Sequence, residues 1–260
     1  MFIVYVIVNN HRQWDQMHLE ILKSRIRNAL PAKKVLPILS HDGELFEVDN
    51  FAISRFICKK IIPYVGCHPF PLTELALMVS AVCRLSPELI FDWGTNLGKS
   101  AWIFSTTTNF FSLKTHIHTI DLPPEGEHVE HPKNKVGAFI RGKKNVTQHF
   151  GDGVSVAIQL ASLQLQKQKN SHFLFFLDGD HSLETVSREL QLIHESFPLA
   201  SILVHDTFFQ EESAHYNIGP WRAVDNFIKS TQGQYQILTT ATGLPGMTLL
   251  YPKVERIWRQ

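Results

Sequence analysis

The sequence predicts an α/β fold in which helices cover both faces of a mostly parallel, doubly wound sheet. From residue 72 onwards, short apolar runs alternate with amphipathic helical stretches. Continuously apolar strands are typical of parallel strands that are buried on both faces. Acidic residues recur where these strands end, which is the edge at which open α/β sheets bind ligands. Together, these observations predict a ligand-binding crevice on a parallel sheet.

The central stretch of the chain is a strand, a glycine turn and the start of a helix. Residues 89–91 form an apolar strand, Gly94 and Gly98 bracket a turn, and residues 100–104 open an apolar helix. Glycine allows close approach of a ligand to the backbone because it has no Cβ. The pattern Asp92-x-Gly94-x-x-x-Gly98 is not a strict dinucleotide-binding triplet, so a tight turn without a ligand stays an alternative at this point.

The other elements follow in regular order. Pro71 suits the first turn of a helix over 72–84, which leads into the first strand. Further strands are predicted over 115–120, 145–150, 173–177 and 200–204, and further helices over 154–165, 182–194 and 220–229. A final strand pair, 235–239 and 247–251, is expected to add an antiparallel strand at one edge of the sheet.

Composition excludes several classes of protein. Lys and Arg total 25 against 24 for Asp and Glu, so there is no basic excess of the kind that binds nucleic acid. The 18 phenylalanines predict a large core, with an apolar substrate groove or the interface of a homo-oligomer as further uses. Three cysteines without C-x-x-C spacing argue against a disulfide framework or a zinc site and favour a reduced, cytoplasmic setting.

The first 70 residues are predicted to be an N-terminal extension, and residues 71–260 the main domain. The apolar run over 2–8 is too short for a membrane span and reads as a buried strand. Residues 14–29 have amphipathic helical spacing that ends at Pro31. The extension carries no motif, and a lid or an oligomer contact is its expected role.

Five acidic residues lie at or just past the ends of predicted strands, and they should therefore share one rim of the sheet. They are Asp92, Asp121, Asp152, Asp178 and Asp206. Their mutual repulsion would be costly, so a site that uses them is a better explanation than chance. Asp121 is placed to accept hydrogen bonds from ribose hydroxyls, and Asp152 from an adenine amine. A phosphate-binding loop is disfavoured because Trp93 replaces its first glycine.

A second cluster follows the strand over 173–177, with the sequence Asp178-Gly179-Asp180-His181-Ser182. Carboxylates and an imidazole on one strand-to-helix turn suit either a divalent metal or a general base. His181 is expected at a helix start, whose dipole favours the neutral imidazole. The alternative is that Asp180 or Ser182 only caps the helix. His205 and Asp206, at the next strand end, are placed to complete the site.

These residues resemble a class I S-adenosylmethionine-dependent methyltransferase over roughly residues 72–251. The stretch Asp92-x-Gly94-Thr95-Asn96-x-Gly98-Lys99-Ser100 resembles the cofactor loop of that family, Asp121 its ribose-binding acid, and Gly151-Asp152 its adenine-side motif. The turn over 177–182 is similar to that of small-molecule O-methyltransferases related to cephalosporin hydroxylase and to the macrolide-sugar methyltransferases. The stretch 204–206 matches the following strand end in that group.

The resemblance implies a Rossmann-like, seven-stranded fold that methylates a hydroxyl of a small molecule, such as a sugar or natural product. S-adenosyl-L-methionine would contact Asp92, Gly94, Thr95, Asn96, Gly98, Ser100, Asp121, Asp152 and Asp178. His181 would be the catalytic base, assisted by Asp178. A Mg²⁺ ion would be held by Asp178 and Asp206, with His205 as a third ligand, and would lower the pKa of the acceptor hydroxyl. The chain departs from the pattern at His205 and Thr207, because an acid usually lies next to Asp206.

Two alternatives to a methyltransferase follow from the same fold. An NAD(P)-dependent oxidoreductase would require a strict glycine triplet and, in the short-chain class, Tyr-x-x-x-Lys, and no tyrosine has Lys four residues on. A non-catalytic cofactor-binding protein of the same fold is the third class. The presence of Asp121, Asp178 and His181 together argues against it.

Overall fold

A seven-stranded sheet forms the centre of the fold, with the strand order β3-β2-β1-β4-β5-β7-β6. The computed structural model describes residues 46–123, 135–214, 217–240 and 242–253. The strands are β1 (Leu89–Trp93), β2 (His116–Asp121), β3 (Val146–Phe150), β4 (Phe173–Leu177), β5 (Ser201–His205), β6 (Tyr235–Thr239) and β7 (Met247–Pro252). Every strand predicted after residue 71 is present, to within two residues at either end.

The helices are α1 (Asn50–Phe56), α2 (Ile62–Val65), α3 (Leu72–Leu85), α4 (Lys99–Phe110), α5 (Gly153–Lys167), α6 (Leu183–Ser196) and α7 (Ile218–Ser230). A wide π-type turn over Ile57–Ile61 joins α1 to α2, and short 3₁₀ turns cover Ala138–Ile140 and Glu212–Ala214. Among the described residues, no helix is both long and apolar enough to cross a bilayer.

Strands β1 to β5 pair in parallel, and β7 is antiparallel to both of its neighbours, β5 and β6. The sequence placed the antiparallel strand at an edge, but β7 lies one strand in from the edge and β6 is outermost. β7 takes the inner position because it is the more buried of the two strands. Met247, Leu249 and Leu250 are fully buried, whereas β6 alternates between buried and exposed residues.

The sheet is covered on both faces, as predicted. On one face, α1 to α4 pack against strand residues such as Ile90, Ile117 and Phe176. On the other face, α5, α6 and α7 pack against residues such as Phe91 and Phe175. Successive residues of a strand point to opposite faces of the sheet. A strand such as β4, which packs against helices on both faces, must therefore be apolar throughout.

The core begins before residue 71. Ile53, Phe56, Ile61 and Phe70 are buried in the same cluster as the strand residues of that face. The sequence assigned these residues to an extension because the stretch 46–70 has no motif, but their apolar side chains complete the core. The strand and helix expected before residue 31 lie outside the described residues, and a lid or an oligomer contact stays a prediction.

Candidate active site

The glycine turn after β1 brings the backbone close to the next strand of the site. Gly94 has φ +76°, and its N–H donates to the Ile120 carbonyl at 2.9 Å. A Cβ at Gly94 would overlap the carbonyl oxygen of Asp178. Gly98 has φ +84° and lies against Ile140. The turn therefore needs glycine at both positions, for its conformation and for the close approach to β4.

Asp121 fixes the far side of this turn. Its Oδ2 accepts the backbone N–H of Asn96 at 2.9 Å, and its Oδ1 accepts that of Leu122 at 2.9 Å. Asn96 is itself in the left-handed region, at φ +44°. The half-buried carboxylate still has lone pairs for ribose hydroxyls, because each oxygen can accept two hydrogen bonds. A carboxylate beside a glycine turn, as predicted, fits an adenosyl group.

Three of the predicted cofactor residues, Asp92, Thr95 and Ser100, are buried beside the glycine turn. Asp92 is fully buried, and its Oδ2 accepts from the Thr119 hydroxyl at 2.7 Å. Thr95 is buried and bonded to the same hydroxyl at 2.8 Å. Burial raises the pKa of Asp92 to about 8, although hydrogen bonds from Thr119 and Ser100 oppose the shift. A direct cofactor contact of these three side chains stays a prediction, since all of them are buried.

Asp152 has a different environment from the other acids of the rim. It is the N-cap of α5, where its Oδ2 accepts the Ser155 N–H at 3.1 Å, and it forms a two-pronged ion pair with Arg188 at 3.2 Å. The hydrogen bond from Arg188 lowers its pKa. Its side chain is about half exposed. The adenine contact predicted for Asp152 stays a prediction. The ion pair with Arg188 competes with such a contact.

The turn after β4 ends in a capped helix. The hydroxyl of Ser182 accepts the N–H of Thr185 at 3.1 Å, and Asp180 accepts the N–H of Ser182 at 2.7 Å and the Thr185 hydroxyl at 3.0 Å. Ser182 is therefore the N-cap of α6, and Asp180 supports the cap through Ser182 and Thr185. Asp178 and His181 are left for the chemistry of the site.

His181 faces two carboxylates. Its Nε2 lies 2.9 Å from Asp206 Oδ2, within ion-pair distance, and 3.8 Å from Asp178 Oδ1. Burial alone would lower its pKa, but the contacts with Asp178 and Asp206 outweigh it and raise the pKa to about 9. The helix dipole was expected to favour the neutral imidazole, whereas these two carboxylates favour the protonated ring. Two adjacent carboxylates have a larger effect than the partial charge of a helix end.

Asp206 is held in a strained backbone conformation, with φ +57°. Its Oδ2 also accepts from the Asn217 side-chain amide at 2.9 Å, while its buried Oδ1 has no hydrogen-bond partner among the described residues. Strained residues of this kind persist only where the surrounding structure fixes them, and they cluster at functional sites. The carboxylate is thus aimed at His181 by its backbone and by Asn217.

His205 is enclosed by acids. Its Nδ1 is 2.8 Å from Asp178 Oδ1, and its Nε2 is 3.0 Å from Glu74 Oε2. Burial opposes the charged form, but Asp178 and Glu74 overcome this effect and raise the pKa of His205 to about 10. In return, the charge of His205 offsets burial at Asp178, whose pKa is lowered. Each ring nitrogen of His205 therefore lies within hydrogen-bond distance of a carboxylate.

Two residues of this network were missed by the sequence analysis. Glu74 is fully buried near the start of α3, where its Oε1 accepts the N–H of Gly246 at 2.8 Å. Asn217 lies at the N-terminus of α7. A carboxylate inside the apolar stretch 72–83 was a usable signal for Glu74, because a charge there must find a partner. Asn217 gave no signal beyond a turn residue ahead of a helix.

A depression of about 430 Å³ opens beside His181. It lies between the N-termini of α6 and α7 and includes Asn217 and Arg222 in its lining. The site thus combines a glycine turn with a ribose-type acid, a histidine paired with a carboxylate, and a space for a second molecule.

Comparison with known proteins identifies this arrangement. Residues 56–245, well over half of the chain, match the sequence model of the rhamnosyl O-methyltransferase/CmcI family. The chain belongs to the rhamnosyl O-methyltransferase/CmcI family. It is an S-adenosylmethionine-dependent O-methyltransferase, and the oxidoreductase alternative is not favoured. A comparison with curated proteins gives no match.

Solved structures share the fold of this O-methyltransferase. The methyltransferase PaMTH1 of Podospora anserina, solved with S-adenosylhomocysteine, is 15% identical, with a TM-score of 0.50, over 79% of this chain and 88% of its own. An O-methyltransferase of Bacillus cereus, also solved with S-adenosylhomocysteine, is 13% identical, with a TM-score of 0.51, over 78% of this chain and 97% of its own. At these identities the likeness shows the fold alone, and it confirms the predicted Rossmann-like architecture.

Proposed function

We propose that this O-methyltransferase methylates a hydroxyl of a small, polar molecule such as a sugar or natural product, with His181 as the general base. The observation that carries the proposal is the pairing of His181 Nε2 with Asp206 Oδ2 at 2.9 Å, beside the 430 Å³ depression. A pocket of that size is in the range that holds small ligands. Its polar lining suits a hydroxylated acceptor better than an apolar one.

The cofactor would lie along the edge between the glycine turn and Asp178. Gly94 and Gly98 shape the turn that would border the cofactor, and Asp121 would accept from the ribose hydroxyls. No basic side chain is needed there, since the cofactor has no phosphate. The carboxylates of the rim also favour a sulfonium cation electrostatically.

The reaction requires an acceptor oxygen in line with the sulfonium methyl group. As the oxygen forms its bond to the methyl carbon, the C–S bond breaks and its electron pair stays on sulfur, which leaves S-adenosylhomocysteine. The hydroxyl proton passes to the His181 ring, and Asp206, which lies 2.9 Å from Nε2, stabilises the resulting imidazolium. His181 must first be neutral, and the positive sulfonium favours that state because it opposes a second positive charge nearby. Positioning of the two reactants supplies much of the acceleration.

The residues predicted to hold Mg²⁺ are two carboxylates, Asp178 and Asp206, and one imidazole, His205. Ligand atoms of Asp178, His205 and Asp206 lie within 4.8 Å of one another, which by itself would suit a cation. Both ring nitrogens of His205 lie within hydrogen-bond distance of carboxylates, Nδ1 of Asp178 and Nε2 of Glu74. Mg²⁺ also prefers oxygen ligands to imidazole. We therefore derive no catalytic step from a metal.

The proposal is tested with the purified full-length chain. S-adenosylmethionine is added with a panel of sugars, phenols, amines and thiols, and products are identified by mass spectrometry. We expect a methyl group on a hydroxyl of one acceptor class, with stoichiometric S-adenosylhomocysteine. Methylation of amines or thiols alone, with hydroxyl compounds untouched, would contradict the proposed acceptor class. A homo-oligomeric state and a cytoplasmic location remain predictions from the sequence.

A further inference from the structure

We propose that the methyl acceptor carries a carboxylate close to its reacting hydroxyl, and that Arg222 binds this carboxylate inside the depression beside His181. The inference rests on the proposed function in one respect, namely that the depression holds the acceptor. It goes further by naming a second chemical group of the substrate. The acceptor class is then that of compact hydroxy acids, such as uronic acids or hydroxybenzoates.

Arg222 lies on the side of α7 that faces the proposed base. Ile218, Gly219 and Arg222 all line the depression, and residues three or four apart on a helix lie on one face. A Cβ at Gly219 would overlap the carbonyl oxygen of His181 and the backbone nitrogen of Leu183, so α7 begins directly against the turn that carries His181. Backbone packing therefore fixes the helix that carries Arg222 relative to the base.

The spacing along α7 suits a compact acceptor. Asn217, at the start of this helix, donates to Asp206, and Asp206 in turn faces His181. Arg222 lies five residues further on, which is about 7.5 Å along the axis at about 1.5 Å per residue. A hydroxyl and a carboxylate on one six-membered ring are separated by a comparable distance. One small molecule can therefore present its hydroxyl to His181 and its carboxylate to Arg222.

The charge around the depression also favours an anion next to Arg222. Asp180 is the acidic residue among the described residues that line it, and its two oxygens accept from the Ser182 N–H and the Thr185 hydroxyl. These hydrogen bonds at the start of α6 offset its charge. The guanidinium of Arg222 supplies a permanent positive charge and the planar fork that matches a carboxylate.

An internal carboxylate already contacts this guanidinium. Nη2 of Arg222 lies 2.8 Å from Oε1 of Glu212, and the pair is open to solvent, with Glu212 exposed and Arg222 partly so. Exposed ion pairs of this kind contribute little to stability. Arg188, in contrast, meets Asp152 through both of its terminal nitrogens. A carboxylate of the acceptor can therefore replace Glu212 at small cost.

The segment after β5 holds Glu212 over Arg222. The ring of Phe209 packs edge-on against Trp221, the neighbour of Arg222 in α7, with 4.7 Å between the ring centroids. This contact returns the segment to α7 just before Glu212 reaches the guanidinium. Glu212 thus marks the place where a carboxylate meets Arg222, and the acceptor carboxylate takes that place when it binds.

The test measures binding of probes that are chosen in pairs. The full-length chain with excess S-adenosylhomocysteine is titrated calorimetrically with para-hydroxybenzoate and para-hydroxybenzamide, and with glucuronate and glucose. We expect the acid of at least one pair to bind at least about tenfold more tightly than its neutral partner, which is the effect of one hydrogen bond to a charged group. Absence of any preference for the acid in both pairs would overturn the proposal.

Two variants assign the preference to the ion pair. Arg222→Gln should lose the preference for the acid, whereas Lys229→Gln, which removes another cation of α7 from its pair with Asp225, should keep it. Glu212→Gln should bind the acid about two- to fivefold more tightly, because it removes a weak competitor, and the exposed Glu211→Gln serves as its control. A preference that survives in Arg222→Gln, or weaker binding of the acid by Glu212→Gln, would overturn the proposal.

The inference and the proposed function fail on different results. If a hydroxy acid is methylated, Arg222→Gln should raise its KM by at least about tenfold and change kcat by less than about threefold, because Arg222 binds the acceptor away from the reacting oxygen. A large fall in kcat with unchanged KM would contradict this role. Absence of methyl transfer to every hydroxyl compound would count against the proposed function, whereas the binding preference requires no turnover and decides the role of Arg222.

Discussion

Glu74 Oε2 lies 3.0 Å from His205 Nε2, and the two residues are 131 positions apart in the sequence. Both side chains are buried, and each is the other's counter-charge. The contact joins α3, on one face of the sheet, to the carboxyl end of β5. It therefore ties the helix that precedes the glycine turn to the network that faces His181.

Replacing Glu74 with Gln should destabilise the fold. The substitution keeps the shape but removes the carboxylate that faces His205 Nε2, and removing one partner of a buried ion pair costs about 3–5 kcal/mol, although Asp178 still faces Nδ1 here. Because Gln retains an oxygen that can accept from Gly246, we expect a loss nearer the lower limit. Urea denaturation measures it, with the exposed Glu211→Gln as the matched control. Equal stability of both variants would show that the Glu74–His205 contact contributes little.

Replacing His181 with Ala should abolish turnover and leave cofactor binding intact. A positioned general base contributes about 10²–10⁴-fold to the rate, so we expect kcat to fall by that factor. The affinity for S-adenosylmethionine, measured by calorimetry, should change by less than about threefold. The control is His194→Ala, because His194 lies near the C-terminal end of α6 and its side chain is hydrogen-bonded to Tyr235. Unchanged kcat in His181→Ala would remove this residue from the role of base.

Asp121→Asn should weaken the binding of S-adenosylmethionine. A hydrogen bond to a charged group contributes about 1.5–3 kcal/mol, which corresponds to about 10–100-fold in Kd. Asp225→Asn, which removes a surface charge paired with Lys229, controls for the change in net charge. Titration calorimetry with both variants makes the comparison. A Kd that is the same in both would mean that Asp121 holds only the backbone of Asn96.

Gly94→Ala and Gly142→Ala form a matched pair, because both glycines have positive φ, +76° and +77°. A Cβ meets nothing within 4 Å at Gly142, but it overlaps the Asp178 carbonyl at Gly94. The left-handed conformation costs about 1–2 kcal/mol in either variant, and overpacking adds about 1–3 kcal/mol at Gly94 alone. We expect Gly94→Ala to be the less stable of the two in thermal unfolding and to lose cofactor binding. Equal behaviour would show that the turn can move away from β4.

Glu189→Gln should stabilise the protein, and the gain should depend on pH. Burial raises the pKa of Glu189 from 4.5 to about 8, with Asp152 and Asp180 adding to the shift. The unfolded chain releases this proton at lower pH than the folded one, so the carboxyl costs nothing below about pH 4.5, and its cost grows up to about pH 8. The gain should therefore be about 1 kcal/mol at pH 5.5 and at most about 5 kcal/mol at pH 8.5, with about 1.36 kcal/mol for each unit of pKa difference. Urea denaturation at both values, with the exposed Glu195→Gln as control, checks this. A gain independent of pH would contradict it.

Much of the fold could be predicted because each element carries its own signal. The continuously apolar residues of β4 indicate a strand buried on both faces, and Pro71 marks the start of α3. The cofactor edge was also predictable, since Gly94, Asp121 and Asp178 come directly at or after strand ends. The position of β7 inside the sheet could not be predicted from the sequence. Either strand of a hairpin can pair with the existing edge strand, and the local sequence is the same in both cases.

The candidate site likewise has one part that the sequence predicts and another that it does not. The sequence by itself determined that Asp121, Asp178, His181 and Asp206 gather at one edge, because parallel strands bring their carboxyl ends together whatever their order. Only the tertiary structure decided how these groups are paired. Whether Asp152 meets Arg188 or a ligand, and whether His205 meets a metal or Glu74, depends on the register of strands and the rotation of helices. Those are set by packing across the whole core, so His205 meets Glu74, a residue that no local pattern connects to it.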